Sequence, residues 1–364
     1  MKPSHIFILL FLAAIFTFIL RLATTSIPLD DPLYNLRQID SLVANNLSYA
    51  WFDPLNWYHS TATIFWGPLF PTIIATICIV TKVNSVAIAS IVPPILASII
   101  TVTSYFLGKS FNDWKTGLIA SVFTAVIGGQ YFYRSTFGFI DHHIAEVLFS
   151  TLFCLLYIYA LRSTTTNKTI IISFFAGIVY LLGYLTMPTM VLFAMIVGIF
   201  TVASFVISQP DKKLVLINTV VFGTVIIGTL LFGFKTTGYD LSSYSIGHPI
   251  VYLGLIIFTV LLYLLASNVS TKTLVGILAL ISLLFVTISQ FLKITFVTYL
   301  LAFFGQSNIT NTVAEAQGWN LIQAALSFNI GLLLAICGAI VLVLIYVRSH
   351  NNSILFVLIW SMII

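Results

Sequence analysis

Charged residues are scarce in this chain, and their scarcity excludes a soluble globular domain. Only 7% of its 364 residues are Asp, Glu, Lys or Arg, whereas 60% are apolar and the mean hydropathy is +1.10. A soluble domain devotes roughly a quarter of its residues to charge. The composition therefore predicts an all-α membrane protein that crosses the bilayer several times.

Runs of basic residues and paired cysteines are also missing. The 15 basic residues, which with 10 acidic residues give a net charge of +5, are scattered at the ends of apolar stretches, and only Lys212 and Lys213 are adjacent. Without a run of Lys or Arg to follow a phosphate backbone, nucleic acid is not expected as a partner. Cys78, Cys154 and Cys337 lie far apart within apolar stretches, so we interpret them as small buried side chains rather than metal ligands.

Long apolar stretches are what the chain does contain. A span needs roughly 20 such residues. The first stretch, His5 to Leu20, follows Lys2 and lacks a small-residue cleavage site, so we predict a retained helix with the amino terminus in the cytoplasm. The predicted spans cover about 5–25, 85–107, 116–133, 144–161, 169–186, 188–208, 214–234, 250–267, 273–292 and 321–347.

The sides of the loops follow from their basic residues, which accumulate in the cytoplasm. The apolar piece from Ile64 to Val80 is interrupted by Pro68 and Pro71, and we interpret it as non-spanning. If it did span, the first loop and the later loops would lie on opposite sides. The predicted external loops cover about 26–84, 134–143, 235–249 and 293–320, within one multi-span domain over residues 1–364.

Carboxylates and imidazoles concentrate in these external loops. Asp141 and His143 stand two residues apart, which separates them on a helix but lets both reach one ion from an extended or turn segment. Neutral imidazole is a common metal ligand. A one-sided set of such groups on otherwise uncharged helices predicts a metal-dependent active site at the membrane surface.

The other polar groups have ordinary explanations beside the functional ones. Asp30 and Asp31 precede Pro32 and suit a solvated turn, or an amphipathic loop helix that aims its acids at the membrane. Thr312 followed by Glu315 matches a capping box. Glu146 can simply favour the positive start of a helix.

Further polar residues of the external loops are candidates for substrate binding. Arg134, at an external helix end, suits either a lipid phosphate or Asp141 as its partner. The candidates also include four other side chains, namely Asp30, His59, His142 and Thr312.

Four ordered segments resemble a known family, the catalytic subunits of oligosaccharyltransferase. The run from Phe132 to His143 resembles the family's second acidic motif in the Asp-His-His form typical of archaea. The segment from Asp31 to Arg37 resembles the first acidic motif. Trp51 to Pro54, together with Trp66 to Pro71, resembles the loop that follows that motif in the family. The fourth segment, Thr312 to Glu315, resembles the short Thr-Ile-x-Glu motif.

The resemblance implies a fold and an activity. The fold is the C-type glycosyltransferase fold with external catalytic loops. The activity is metal-dependent transfer of an oligosaccharide from a dolichyl phosphate or pyrophosphate carrier to Asn in Asn-x-Ser/Thr, with Mn²⁺ or Mg²⁺ as cofactor. It implies that Asp31, Asp141 and His143 hold the metal and that Asp31 and Glu315 bind the acceptor amide. The site would face outward from the cell membrane.

Two departures keep other functions open. Leu29 stands where the family's first motif usually has Gly or Glu, and the family's carboxy-terminal domain with its Trp-Trp-Asp-Tyr-Gly motif is expected to be absent from this chain. The alternatives are another C-type glycosyltransferase acting on lipid or Ser/Thr, and a truncated relative that only binds the lipid carrier. A transporter is disfavoured because its acids should lie near the middle of the spans.

Overall fold

The computed structural model describes residues 3–25, 31–53, 66–208, 210–292 and 321–363, and these residues form helices joined by short connections. A 3₁₀ turn over Pro188–Met190 precedes the helix that begins at Val191. The α-helices are α1 Pro3–Leu22, α2 Asp31–Ala44, α3 Leu69–Thr81, α4 Ser85–Phe111, α5 Trp114–Val126, α6 Gln130–Tyr133, α7 His143–Arg162, α8 Thr166–Thr186, α9 Val191–Ile207, α10 Lys212–Phe232, α11 Gly247–Asn268, α12 Thr271–Leu292, α13 Leu321–Phe328, α14 Ile330–Ser349 and α15 Asn352–Ile363.

Eight helical segments of the described chain are long and apolar enough to cross a membrane. They are α1, α4, α7, α8, α9 with its preceding turn, α10, α11 and α14. Within a bilayer a helix satisfies every backbone hydrogen bond internally, which is why apolar runs of this length become helices. The prediction of an all-α, multi-span membrane protein is confirmed, and no β-strand forms among the residues described.

Polar side chains cap helices where the apolar runs begin. Asn84 accepts a hydrogen bond from the amide of Val86 at the start of α4. Asp113 accepts from Lys115 and Thr116 at the start of α5. Each cap satisfies an amide that the first turn of a helix leaves without an intrahelical partner.

Two predicted spans differ from the structure because each helix is interrupted. The span predicted over 116–133 ends as α5 at Val126, and α6 resumes only after Gly129, whose φ of +80° suits a residue without a Cβ. The span predicted over 321–347 is divided between α13 and α14 at Asn329, with φ of +49°. Helix α5 is followed by Ile127, whose backbone is extended, and Gly129 immediately precedes α6. At the other interruption, the left-handed residue Asn329 ends the helical hydrogen-bond ladder of α13.

Helix α3 covers most of the Ile64 to Val80 stretch, whose non-spanning position stays a prediction. Its 13 residues extend about 20 Å, less than the roughly 30 Å of a bilayer core. It packs with α2, α4 and the start of α7 in one apolar cluster. The buried members of that cluster are Ile39, Leu42, Phe70, Ile74, Ala75, Cys78, Ala89, Ile140 and Ala145.

The chain divides into two compact units. The first comprises Met1–Tyr159, Leu182–Met187 and Ile322–Ile336, and the second comprises the rest. In the first unit, α4 and α5 form a close hairpin in which a Cβ on Gly117 would lie 2.6 Å from the carbonyl oxygen of Tyr105. In the second unit, Asn218 donates to the hydroxyls of Thr201 and Thr259 over 3.0 and 3.2 Å.

Candidate active site

The segment that leads into α7 carries the Asp-His-His sequence, and backbone contacts hold it against two helices. The amide of Phe137 donates to the carbonyl of Arg21 over 3.0 Å, and Phe137 forms an isolated β-bridge with Thr25 beyond the end of α1. The amide of Gly138 donates to the carbonyl of Ser90 in α4 over 3.1 Å. The segment is therefore non-helical up to His142, within the extended or turn conformation that was predicted, and the amide of Asp141 donates to the carbonyl of Phe139.

Burial fixes the two central residues of this segment. Ile140 belongs to the apolar cluster shared by α2, α3 and α4, so its neighbour Asp141 cannot move without disturbing that cluster. Asp141 and His142 are 1% and 2% exposed. An ionisable pair this deeply buried marks a functional site more often than a structural one.

Three ligand-type side chains meet at this point. One ligand atom from each of Asp141, His142 and His143 lies within 4.8 Å of the others. Oδ1 of Asp141 is 3.0 Å from Nδ1 of His142, and Oδ2 is 3.7 Å from Nε2 of His143. Arg134 donates from Nη1 to Oδ2 of Asp141 over 3.1 Å, so of the two partners predicted for Arg134 the structure shows Asp141.

Glu146 belongs to the same cluster, although the sequence interpretation favoured its role at the start of a helix. Its Oε1 lies 3.2 Å from Nε2 of His142 and 3.0 Å from Nδ1 of His143. On a helix, residues three and four apart share a face, so the spacing from His142 and His143 is the signal that could have identified it. Glu146 thus lies against both imidazoles.

The cluster leaves buried polar atoms without hydrogen bonds. Oδ1 of Asp141 and Nδ1 of His142 are close in distance but do not meet with hydrogen-bond geometry, so we take their proximity as electrostatic. The same holds for Nε2 of His142 and Oε1 of Glu146. Buried polar atoms are normally paired, and an unmet carboxylate beside imidazoles has the donor chemistry of a transition-metal site. The described residues therefore fit a divalent metal ion.

The charge of the cluster acts on His142. Burial alone would lower its pKa, but the neighbouring Asp141 and Glu146, with a contribution from Asp31, raise the pKa above its ordinary value. The contribution of Asp31 shows that the start of α2 lies within electrostatic reach of the cluster.

Aromatic contacts connect α2 to the cluster. The rings of Tyr34 and Trp66 are edge to face with centroids 4.6 Å apart. Trp66 in turn contacts the ring of His142 at 5.0 Å, and His142 contacts His143 at 4.5 Å. The predicted loop helix after Asp31 is confirmed as α2. Through Trp66, these ring contacts link α2 to the Asp-His-His segment.

The structure brings five of the predicted site residues into one region. Asp31, Arg134, Asp141, His142 and His143 are placed together or within electrostatic reach. Four other predicted residues lie outside the described residues, namely Asp30, His59, Thr312 and Glu315. A substrate-binding role for His142 stays a prediction, and its burial favours a role beneath the site instead.

Comparison with known families decides the classification. Residues 4–242 match the family model described as oligosaccharyl transferase STT3, N-terminal. This chain belongs to the STT3 family. The match contains all five predicted site residues that the structure describes.

Relatives of this STT3 chain are longer than it is. The dolichyl-phosphooligosaccharide-protein glycotransferase 3 of Archaeoglobus fulgidus is 30% identical over 137 residues, which is 36% of this chain and 15% of that protein. The solved oligosaccharyltransferase AglB of the same organism, in complex with an inhibitory peptide and a dolichol-phosphate, superimposes with a TM-score of 0.83 at 22% identity. That match covers 98% of this chain and 46% of the other.

A second similar structure was solved with a metal ion. The Archaeoglobus fulgidus oligosaccharyltransferase in complex with Zn and sulfate matches with a TM-score of 0.74 at 21% identity over 97% of this chain and 45% of that one. The STT3 chain thus has the fold of these enzymes and spans less than half of their length.

Proposed function

We propose that this STT3 chain is the membrane-embedded catalytic part of an oligosaccharyltransferase. It would transfer an oligosaccharide from a dolichyl phosphate or pyrophosphate carrier to Asn in Asn-x-Ser/Thr. The observation that carries the proposal is the cluster of buried Asp141 and His142 with partly exposed His143, at the start of a helix in an STT3 fold, in which one carboxylate oxygen has no hydrogen-bond partner. The AglB relative binds a peptide and a dolichol-phosphate, which are the two kinds of substrate this reaction needs.

The residues that would hold the metal are Asp31, Asp141 and His143. Carboxylate oxygens with one imidazole suit Mn²⁺ and, less well, Mg²⁺. When bound, the ion would supply Lewis-acid stabilisation of the negative charge that develops on the departing lipid phosphate. The contact of Arg134 with Asp141 is made to Oδ2, whereas Oδ1 has no hydrogen-bond partner and can serve as a ligand. The Zn complex of the solved relative supports a metal in this fold.

The acceptor amide needs activation because its nitrogen lone pair is delocalised into the carbonyl. Asp31 and Glu315 would each accept one N–H of the amide and hold the nitrogen over the anomeric carbon. The bond from that carbon to the phosphate oxygen breaks as the bond to nitrogen forms, and one amide proton is lost toward the carboxylates. Attack opposite the leaving group predicts inversion at the anomeric carbon, which product NMR would test.

Two further elements complete the proposal. Arg134 is 15% exposed at its side chain and presents a guanidinium beside Asp141, where it can meet the carrier phosphate. We also place the site on the extracellular face of the cell membrane, because the basic loops 162–168 and 212–213 then lie in the cytoplasm.

A transfer assay with the full chain in nanodiscs tests this function. The substrates are a fluorescent peptide with Asn-x-Thr and a dolichyl-linked oligosaccharide, and the variants are Asp141→Ala and Glu315→Gln. We expect wild-type transfer to stop with EDTA, to return with Mn²⁺, and to be lost in both variants. The matched control is Asp240→Ala, whose carboxylate accepts from the amide and hydroxyl of Ser242 in the second unit.

The outcomes separate catalysis from carrier binding. A peptide with Gln in place of Asn serves as the substrate control. Transfer that survives EDTA and both substitutions contradicts the mechanism. Binding of the dolichyl-linked oligosaccharide without any transfer would instead identify a carrier-binding protein.

A further inference from the structure

Arg21 is fully buried near the carboxyl end of α1, in a part of the chain where charge is otherwise absent. Its side chain has no exposed surface. No carboxylate among the described residues pairs with it, and its Nη2 has no hydrogen-bond partner. A buried charge of this kind normally destabilises a protein, so its presence calls for a functional explanation.

The remaining contacts of Arg21 all go to the chain before Asp141. Nε donates to the hydroxyl of Ser135 over 2.7 Å, and Nη1 donates to the carbonyl of Ala125 over 2.9 Å. The guanidinium lies 3.7 Å from the ring centroid of Phe132, a close cation–π contact. One side chain thus connects α1 to the end of α5, to α6 and to the turn that follows α6.

The main chain of Arg21 adds a second connection to the same region. Its carbonyl accepts the hydrogen bond from the amide of Phe137, four residues before Asp141. Ser135 also donates from its hydroxyl to the carbonyl of Phe132, which closes the turn that Arg21 binds. The planar guanidinium can bind these separated groups at the same time, whereas the single ammonium of lysine cannot.

We infer that Arg21 is a positioning residue that holds the Asp141 segment in the arrangement needed for metal binding. The inference rests on the proposed function. Asp141 is fixed by Ile140 on one side, and Arg21 fixes the residues before it through Ser135, Phe132 and Phe137. The same helix that carries Arg21 precedes the Asp31 segment in the chain.

The test measures Mn²⁺ affinity by electron paramagnetic resonance and backbone hydrogen exchange over residues 133–141, using the full chain in nanodiscs. Arg21→Met keeps most of the volume and removes both the charge and the donors. We expect its affinity for Mn²⁺ to fall about tenfold, the range that supporting residues of metal sites show. We expect exchange of the Phe137 and Gly138 amides to accelerate while the thermal midpoint changes little.

Two further variants isolate the contact. Ser135→Ala removes the acceptor of Nε together with the hydrogen bond from the Ser135 hydroxyl to Phe132, and it should give a smaller change in the same direction. The double variant with Arg21→Met should lose less affinity than the sum of the two single changes, because both single changes remove the bond between Nε and Ser135. Arg21→Lys should restore part of the affinity. Ser135→Ala also keeps the inference testable if Arg21→Met does not fold.

Arg162 provides a matched control. It also lies at a helix end and donates from Nε to a serine hydroxyl, that of Ser353, over 3.2 Å in the second unit. Arg162→Met should change neither the affinity nor the exchange of residues 133–141. Unchanged affinity and exchange in folded Arg21→Met would overturn the inference. If wild-type protein binds no Mn²⁺, the proposed function fails, and the exchange measurement alone decides the role of Arg21.

Discussion

The two units bury polar side chains of different kinds. In the first, several buried atoms of ionisable side chains have no hydrogen-bond partner. They include a carboxylate oxygen of Asp141, both nitrogens of His142, an oxygen of Glu146 and a guanidinium nitrogen of Arg21. In the described part of the second, the buried atoms without a hydrogen-bond partner are hydroxyls and one amide oxygen, those of Ser173, Ser204, Ser208, Tyr346 and Asn352.

The second unit also shows how a structural polar group is satisfied. The amide of Asn218 donates to two threonine hydroxyls, and those of Thr201 and Thr259 each donate to the carbonyl one turn earlier. Neutral groups that pair within a membrane protein serve packing. Ionisable groups left unmet indicate a ligand. The difference indicates that a functional region can be told from a structural one by whether its unpaired buried atoms belong to ionisable or to neutral groups.

The largest expected effect comes from removing one carboxylate in each unit. Asp141→Asn should lower oligosaccharide transfer roughly 10²–10³-fold, because the charge that orients and balances the reacting groups is lost. Asp240→Asn should stay within about twofold of wild type. Initial rates of peptide glycosylation measure the effects of both variants. Equal losses of transfer activity in the two variants would contradict the distinction between the units.

Metal binding should stabilise the chain through the first unit. At a free Mn²⁺ concentration of about 100 times Kd, the free energy of unfolding should rise by about 2.7 kcal/mol. Thermal unfolding followed with and without EDTA measures this rise. It should vanish in Asp141→Asn and persist in Asp240→Asn. A rise that survives Asp141→Asn would place the ion elsewhere.

Glu146→Gln sharpens the comparison within the first unit. The amide keeps the shape of the side chain but removes the charge that lies 3.0–3.2 Å from the two imidazoles. Mn²⁺ affinity should fall about tenfold to a hundredfold, since such partners orient metal-binding histidines. Isothermal titration measures this change. Asp113→Asn, which exchanges one good helix cap for another, is the control and should leave the affinity unchanged.

The smallest effect belongs to the second unit. Asn218→Leu removes the amide, but Thr201 and Thr259 keep their bonds to backbone carbonyls. The free energy of unfolding should fall by about 0.6 kcal/mol and by no more than about 1.7 kcal/mol, as for other hydrogen bonds between membrane helices. Unfolding in mixed micelles measures it. A change in Mn²⁺ affinity here would contradict the assignment of this network to packing.

Much of the fold was predictable because long apolar runs have few alternatives in a bilayer. The helices from 143 to 268 begin and end within a few residues of their predicted limits. The breaks at Gly129 and Asn329 were not predicted, since hydropathy is insensitive to the backbone conformation of a single residue. The Asp141 and His143 pair was predicted from its spacing alone, because a turn brings two residues of that separation to one point.

Other parts of the site carried no local signal. The partners of Arg21 lie more than 100 residues away in the chain, at Ala125 and Ser135, so only tertiary structure reveals the contact. Glu146 was missed for a different reason. A carboxylate in the first turn of a helix is common, and its spacing from two histidines gains meaning only when both rings are seen to face it.

The close hairpin of α4 and α5 has a consequence for biogenesis. Only Asn112 and Asp113 separate the two helices, so their contacts are local in sequence and can form early, before the later helices are synthesised. Everything in the cluster from Asp31 to Glu146 is complete once the chain has passed residue 146. The nascent protein would therefore assemble the Asp141 cluster, at which we propose that the ion binds, before residue 315 is synthesised.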